Sequence, residues 1–108
     1  MEKQLLENAK EFKESGEDNF TKNRYNVAAS DFFKAIVIVC DYLIYAKIRL
    51  LPKNHSERFL LLKIHYPEIE QKVSKLFSLY TNSYNLQVKE KDAKTLKTFA
   101  DEMMKYAK

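Results

Sequence analysis

The stretch "RYNVAASDFFKAIVIVCDYLIYAKIRL", residues 24–50, decides the fold. Read at about 3.6 residues per turn, its apolar side chains leave almost no broad polar face. Val27, Ala28, Phe32, Phe33, Ala35, Ile36, Val39, Cys40, Leu43, Ile44 and Ile48 go nearly all the way round. A helix of that kind is central to a bundle, or it is covered on a second side by another subunit. One narrower strip is mixed: Asp31, Lys34, Ile38, Asp41 and Tyr45. It reads either as a solvated strip carrying an Asp31–Lys34 pair at spacing three, or as a polar groove or dimer seam for a ligand or partner.

Composition agrees with long helices. Among 108 residues there are one Gly and two Pro, too few breakers for the tight turns of an all-β fold. The length suits one domain, 1–108, with a real core. The single cysteine, Cys40, cannot form an intramolecular disulfide and reads as a small buried hydrophobe in a reducing, cytoplasmic protein. The N-terminal "MEKQLLENAKEFKE" has neither the charge order nor the apolar core of a leader peptide. The longest greasy run, "AIVIVCDYLIYA", is 12 residues and is interrupted by Asp41, too short to span a bilayer. Charge is uneven. Residues 1–20 hold three Lys against six acids, a balance of −3, and residues 21–108 hold sixteen basic side chains against nine acids, +7. A basic body can attract phosphates or an acidic partner, or simply present solvated lysine faces.

Outward from the central stretch, periodicity predicts four more helices. The first runs over 2–22, with Leu5, Ala9, Phe12, Gly16 and Phe20 on one face. Gly16 costs about 1 kcal/mol against Ala in a helix interior, so its place on the apolar face points to close approach of a neighbouring helix. After residue 50, Pro52 disfavours helix at Leu51, and Asn54 with Glu57 has the spacing of a capping box. A short helix follows over 55–65. Pro67 opens another over 67–85, striped by Ile69, Val73, Leu76, Phe77, Tyr80 and Tyr84. The last runs over 91–106, with Ala93, Leu96, Ala100, Met103 and Ala107 sharing a face. Short connections favour antiparallel neighbours. The expected fold is all-α: an up-and-down four-helix bundle with a short extra helix between helices 2 and 4.

Most chemistry is missing from this chain. One Gly cannot make a phosphate-binding loop, and His55 and His65 are ten apart on different faces, so no metal is expected. What remains is "RLLPKNH", residues 49–55, in which Arg49 and His55 are separated by five residues. The longer run "RYNVAASDFFKAIVIVCDYLIYAKIRLLPKNHSERFLLL" resembles the HEPN superfamily: an aromatic and small-residue entry, a long apolar helix, a short polar loop, then His at the next helix start. The resemblance covers roughly residues 5–85, in helix order more than in identities.

That resemblance implies a small helical module, commonly dimeric, which in many family members lies beside a minimal nucleotidyltransferase in a toxin–antitoxin pair. The leading expectation is an interaction module that forms a homodimer and partners such a nucleotidyltransferase. The alternative is a metal-independent endoribonuclease, with RNA as substrate and no cofactor. The family's nuclease signature is Arg, four to six residues, then His, which Arg49 and His55 fit. His55 would be general base on a ribose 2′-OH and Arg49 would hold the scissile phosphate. A third expectation is a tetratricopeptide-like peptide or nucleotide binder using Asp31, Lys34, Asp41 and Tyr45. Gly16, Tyr25, Ala28, Phe32 and Ala35 match the spacing of one such helix pair, though stacking needs about three copies.

Overall fold

The computed structural model describes residues 1–107. It is all-helical, with no strand among the described residues: α1 (Glu2–Thr21), α2 (Tyr25–Ile48), α3 (His55–His65), α4 (Pro67–Asn85) and α5 (Glu90–Tyr106). Each expected helix is present, with ends displaced by no more than two residues. Helix α2 is the hub and packs against all four others. Its buried side chains include Phe32, Phe33, Ile36, Val39, Cys40 and Ile44. The chain's own helices therefore cover most of the apolar girth. From Val27 to Tyr45, what stays at least partly open is Val27, Ser30, Lys34, Ile38, Asp41, Tyr42 and Tyr45. At about 100° per residue these fall within roughly a third of the circumference.

The turns follow local chemistry. Asn23 closes the α1–α2 corner at φ 61°, a left-handed conformation that asparagine tolerates. Asn54 caps α3 as expected, its side chain accepting from the Glu57 N–H at 2.9 Å. Glu57 reaches back to the Lys53 N–H at 3.3 Å, one residue earlier than a standard capping box. Pro67 occupies the first turn of α4.

Polar side chains pin the helices to α2. Asp31 is 8% exposed and accepts from Ser15 Oγ at 2.7 Å and Asn19 Nδ2 at 3.1 Å, both on α1. The expected Asp31–Lys34 pair does not form, because Asp31 turns inward to α1 while Lys34 lies over the Phe12 ring at 5.6 Å. Asn26 holds the α4–α5 connection: its Nδ2 donates to the carbonyls of Ser83 (3.0 Å) and Leu86 (2.7 Å), and its Oδ1 accepts from the Val88 N–H (2.9 Å). That contact buries Val88, a loop residue no helical stripe would select.

Gly16 lets α1 approach the Phe32 ring of α2, and the contact explains the repeat-like spacing of small residues as packing within one helical hairpin. A Cβ at Gly16 would stand 2.6 Å from Phe32 Cε1 and 2.7 Å from Cδ1, and the ring is fully buried. Alanine would gain about 1 kcal/mol of helix propensity. Overpacking costs about 1–3 kcal/mol, and a buried ring has little room to yield. Gly16→Ala should therefore lower stability in urea unfolding; an unchanged or raised midpoint would show that the ring moves freely.

Candidate functional site at the corner between α2 and α3

Residues 49–58 leave α2, cross a short loop and enter α3. Arg49 ends α2 in a left-handed conformation, φ 59° and ψ 30°, with its N–H bonded to the Tyr45 carbonyl at 2.9 Å. Gly or Asn usually fills such a position, because a Cβ makes it unfavourable by roughly 1–2 kcal/mol. The Arg49 side chain is 67% exposed, lies 5.4 Å over the Tyr45 ring and pairs with Glu2 at the start of α1. An ion pair that exposed contributes little to stability.

His55 is the first residue of α3 and points the other way, into an aromatic cluster. Its ring lies 5.2 Å from Phe77, 6.2 Å from Phe59 and 6.5 Å from Tyr80. No hydrogen bond joins it to Arg49 among the described residues. Its guanidinium neighbour is Arg58, one turn along α3, whose Nη1 stands 2.8 Å from His55 Nδ1. Arg58 in turn meets Asp41 of α2 through two bonds, Nε–Oδ1 at 2.6 Å and Nη2–Oδ2 at 2.9 Å. These two side chains are only 12% and 14% exposed. A paired, hydrogen-bonded geometry is what makes burial of both charges tolerable, and removing one partner from such a pair typically costs about 3 kcal/mol or more.

The remaining candidates divide between structure and surface. Asp31 and Asp41 lie on the expected strip of α2, but each is held by its own chain, through α1 and α3 respectively. Lys34 is exposed and Tyr45 half-buried under Arg49, so these two members of the strip keep surface for a ligand or partner. Sequence reading missed Arg58. Its signal was present: Arg58 sits three residues after His55, on the same helical face, and Asp41 is an acid inside the apolar run.

Beyond the imidazole, the phenols of Tyr80 and Tyr84 meet at 2.6 Å. Burial, then the hydrogen bond from its neighbour, pushes Tyr80 up to about 12. Tyr84 is 68% exposed, so this residue of the α4 stripe faces solvent instead of the core. A separate cleft of about 620 Å³ opens between α4 and α5, floored by Ile69 and Phe99 and edged by Lys72, Lys75 and Lys105. It contains none of the expected site residues. No group of His, Cys, Asp and Glu suited to a metal occurs among the described residues. No helix of the structure is long and apolar enough to cross a membrane.

His55 titrates below its ordinary value of 6.5, first because burial disfavours the cation, then because Arg58 repels it; Asp41 opposes both. A depressed imidazole means that the unfolded chain takes up this proton first. The His55 contribution is thus fully present above the unfolded value and is lost as pH falls from 6.5 through the lowered folded value. His55→Gln should flatten the fall in urea stability with acidification across that window. Parallel pH profiles for both proteins would show that His55 does not titrate differently on folding.

The sequence matches the family described as "HEPN domain" over residues 2–108, essentially the whole chain. No curated protein and no solved structure matches it. With the five-helix architecture and the polar α2–α3 loop in place, this match identifies the chain as a member of the HEPN family.

Proposed function

We propose that this chain is a helical interaction module, an up-and-down bundle with α3 as insert, that pairs with a second copy of itself. The partner of such a pair is a minimal nucleotidyltransferase in a toxin–antitoxin-type system, a reading that rests on family membership. One observation carries the association itself. Leu50, Leu51, Leu60 and Ile64 are 60%, 38%, 58% and 62% exposed, and all four lie within fifteen residues of chain around the α2–α3 corner. Leu60 and Ile64 are one turn apart on α3, opposite the face that carries His55 and Phe59. Exposed large apolar groups concentrated on one segment mark an interaction surface more often than isolated ones do. The polar strip would contribute Lys34 and Tyr45 to such contacts, since Asp31 and Asp41 are already engaged. Multi-angle light scattering at micromolar concentration should give twice the mass of the chain. The double variant Leu60→Asp, Ile64→Asp should run as a monomer with unchanged far-ultraviolet dichroism. A wild-type protein that runs as a clean monomer overturns the pairing.

A second reading is a metal-independent endoribonuclease. It is favoured by Arg49, an exposed arginine held in an unfavourable backbone conformation on the same corner as a neutral imidazole. Strained residues cluster at functional sites. Glu2 would release Arg49 to a phosphate. Acid–base groups typically contribute about 10²–10⁴-fold to rate. Wild-type protein should cleave single-stranded RNA in EDTA, and His55→Ala should lose activity on that scale. Intact RNA with wild-type protein across a broad range of pH and salt removes this reading and leaves the interaction module standing.

A further inference from the structure

The contacts of His55 determine more than its position. The Arg58 guanidinium has donors only and cannot be deprotonated in a protein. Its Nη1 stands 2.8 Å from His55 Nδ1, so Nδ1 must be the acceptor. The ring proton of the neutral imidazole then sits on Nε2. Nε2 has no hydrogen-bond partner among the described residues, and none of their fully buried side-chain nitrogens or oxygens lacks a partner. Nε2 therefore opens to solvent. Arg58 is not free to turn away, because Asp41 grips it at Nε and Nη2, leaving Nη1 aimed at the ring. The titratable and charged groups near the imidazole are Arg58 from α3 itself, Asp41 from α2 behind that arginine, and the Tyr80 ring from α4 at 6.5 Å.

We propose that Arg58, braced by Asp41, is a positioning residue that fixes His55 as the Nε2–H tautomer. The α2–α3 corner then offers an outward hydrogen-bond donor, suited to an acceptor oxygen such as that of a phosphoryl or carboxylate group. In this tautomer Nε2 has no lone pair with which to take a proton. The inference rests on the nuclease reading only for its consequence there: His55 would act through Nε2–H as a proton donor, to a phosphoryl oxygen or to the leaving 5′ oxygen, so the loss expected of His55→Ala is that of an acid, and the base for a 2′-OH would be another group. A base at Nε2 requires the proton on Nδ1, and Arg58 forbids that arrangement.

Long-range proton–nitrogen correlation spectra of the full ¹⁵N-labelled chain above pH 7 read this state directly and need no RNA. The result expected for His55 is one pattern, with a protonated Nε2 and an unprotonated Nδ1. An Nδ1–H pattern, or the averaged pattern of two exchanging tautomers, overturns the proposal from the wild-type spectrum alone. In Arg58→Met the pattern should become mixed and the imidazole should titrate at higher pH, with the helical dichroism checked in parallel. Retention of a pure Nε2–H state in that variant, folded, would show that Arg58 does not set the tautomer. Absence of RNA cleavage bears on the nuclease reading and leaves this measurement intact.

Discussion

Burial of α2 around most of its circumference is the constraint to which the rest of the molecule answers. An apolar helix of 24 residues needs more cover than one neighbour can give, and here four helices share the task. The cover is not uniform. Where Gly16 has no side chain, the Phe32 ring fills the space that a Cβ would take. Polar groups at the margins of the buried arc then need partners, since a lone buried carboxylate is costly. Asp31 finds Ser15 and Asn19 of α1, and Asp41 finds Arg58 of α3. Two acids that interrupt an apolar helix therefore serve as the points at which its neighbours are fixed in register.

The helices were legible in the sequence because α1, α4 and α5 carry a periodic stripe, α2 is apolar throughout, and α3 and α4 open on a chemical boundary. Pro67 and the Asn54–Glu57 cap mark starts, and few glycines or prolines compete with them. Long-range partnership was less legible. Spacing predicts that Asp31 can reach Lys34, but spacing cannot show that Asp31 points at another helix, where two neutral donors await it. Asn26 is a similar case. Nothing local distinguishes an asparagine that closes a loop some sixty residues away from one on a surface. Its partners are backbone atoms, which leave no trace in side-chain pattern.

The candidate site shows the same division. The corner itself, and the placement of Arg49 and His55 at its two ends, follow from the helix boundaries. Their environments do not. Five intervening residues measure distance along the chain, whereas the chemistry depends on which way each side chain leaves its helix. Arg49 leaves α2 toward α1, and His55 enters α3 facing α4. The arginine that touches the imidazole lies after it, at the i+3 spacing that a helix converts into a contact. Sequence order thus suggested one guanidinium and helical geometry supplies another.

The same geometry separates two questions that the greasy character of α2 had joined. If α2 needed a second chain to be covered, its apolar girth would itself be evidence for pairing. The four surrounding helices remove that need, and the uncovered strip holds lysine, serine and tyrosine alongside Val27 and Ile38. Any surface for a partner must be sought where apolar groups remain uncovered. Helix α3 is such a place. It is the shortest helix, and its inner face is spent on Leu62, Phe59 and the Arg58–Asp41 pair. Leu60 and Ile64 project from its other side and stay more than half exposed in the single chain. Their retention in water opposes the hydrophobic effect by an amount that only an external contact could recover. The imidazole and the exposed Leu60–Ile64 pair thus occupy opposite faces of α3, so a partner seated on that pair would brace the helix that carries His55 without covering the ring.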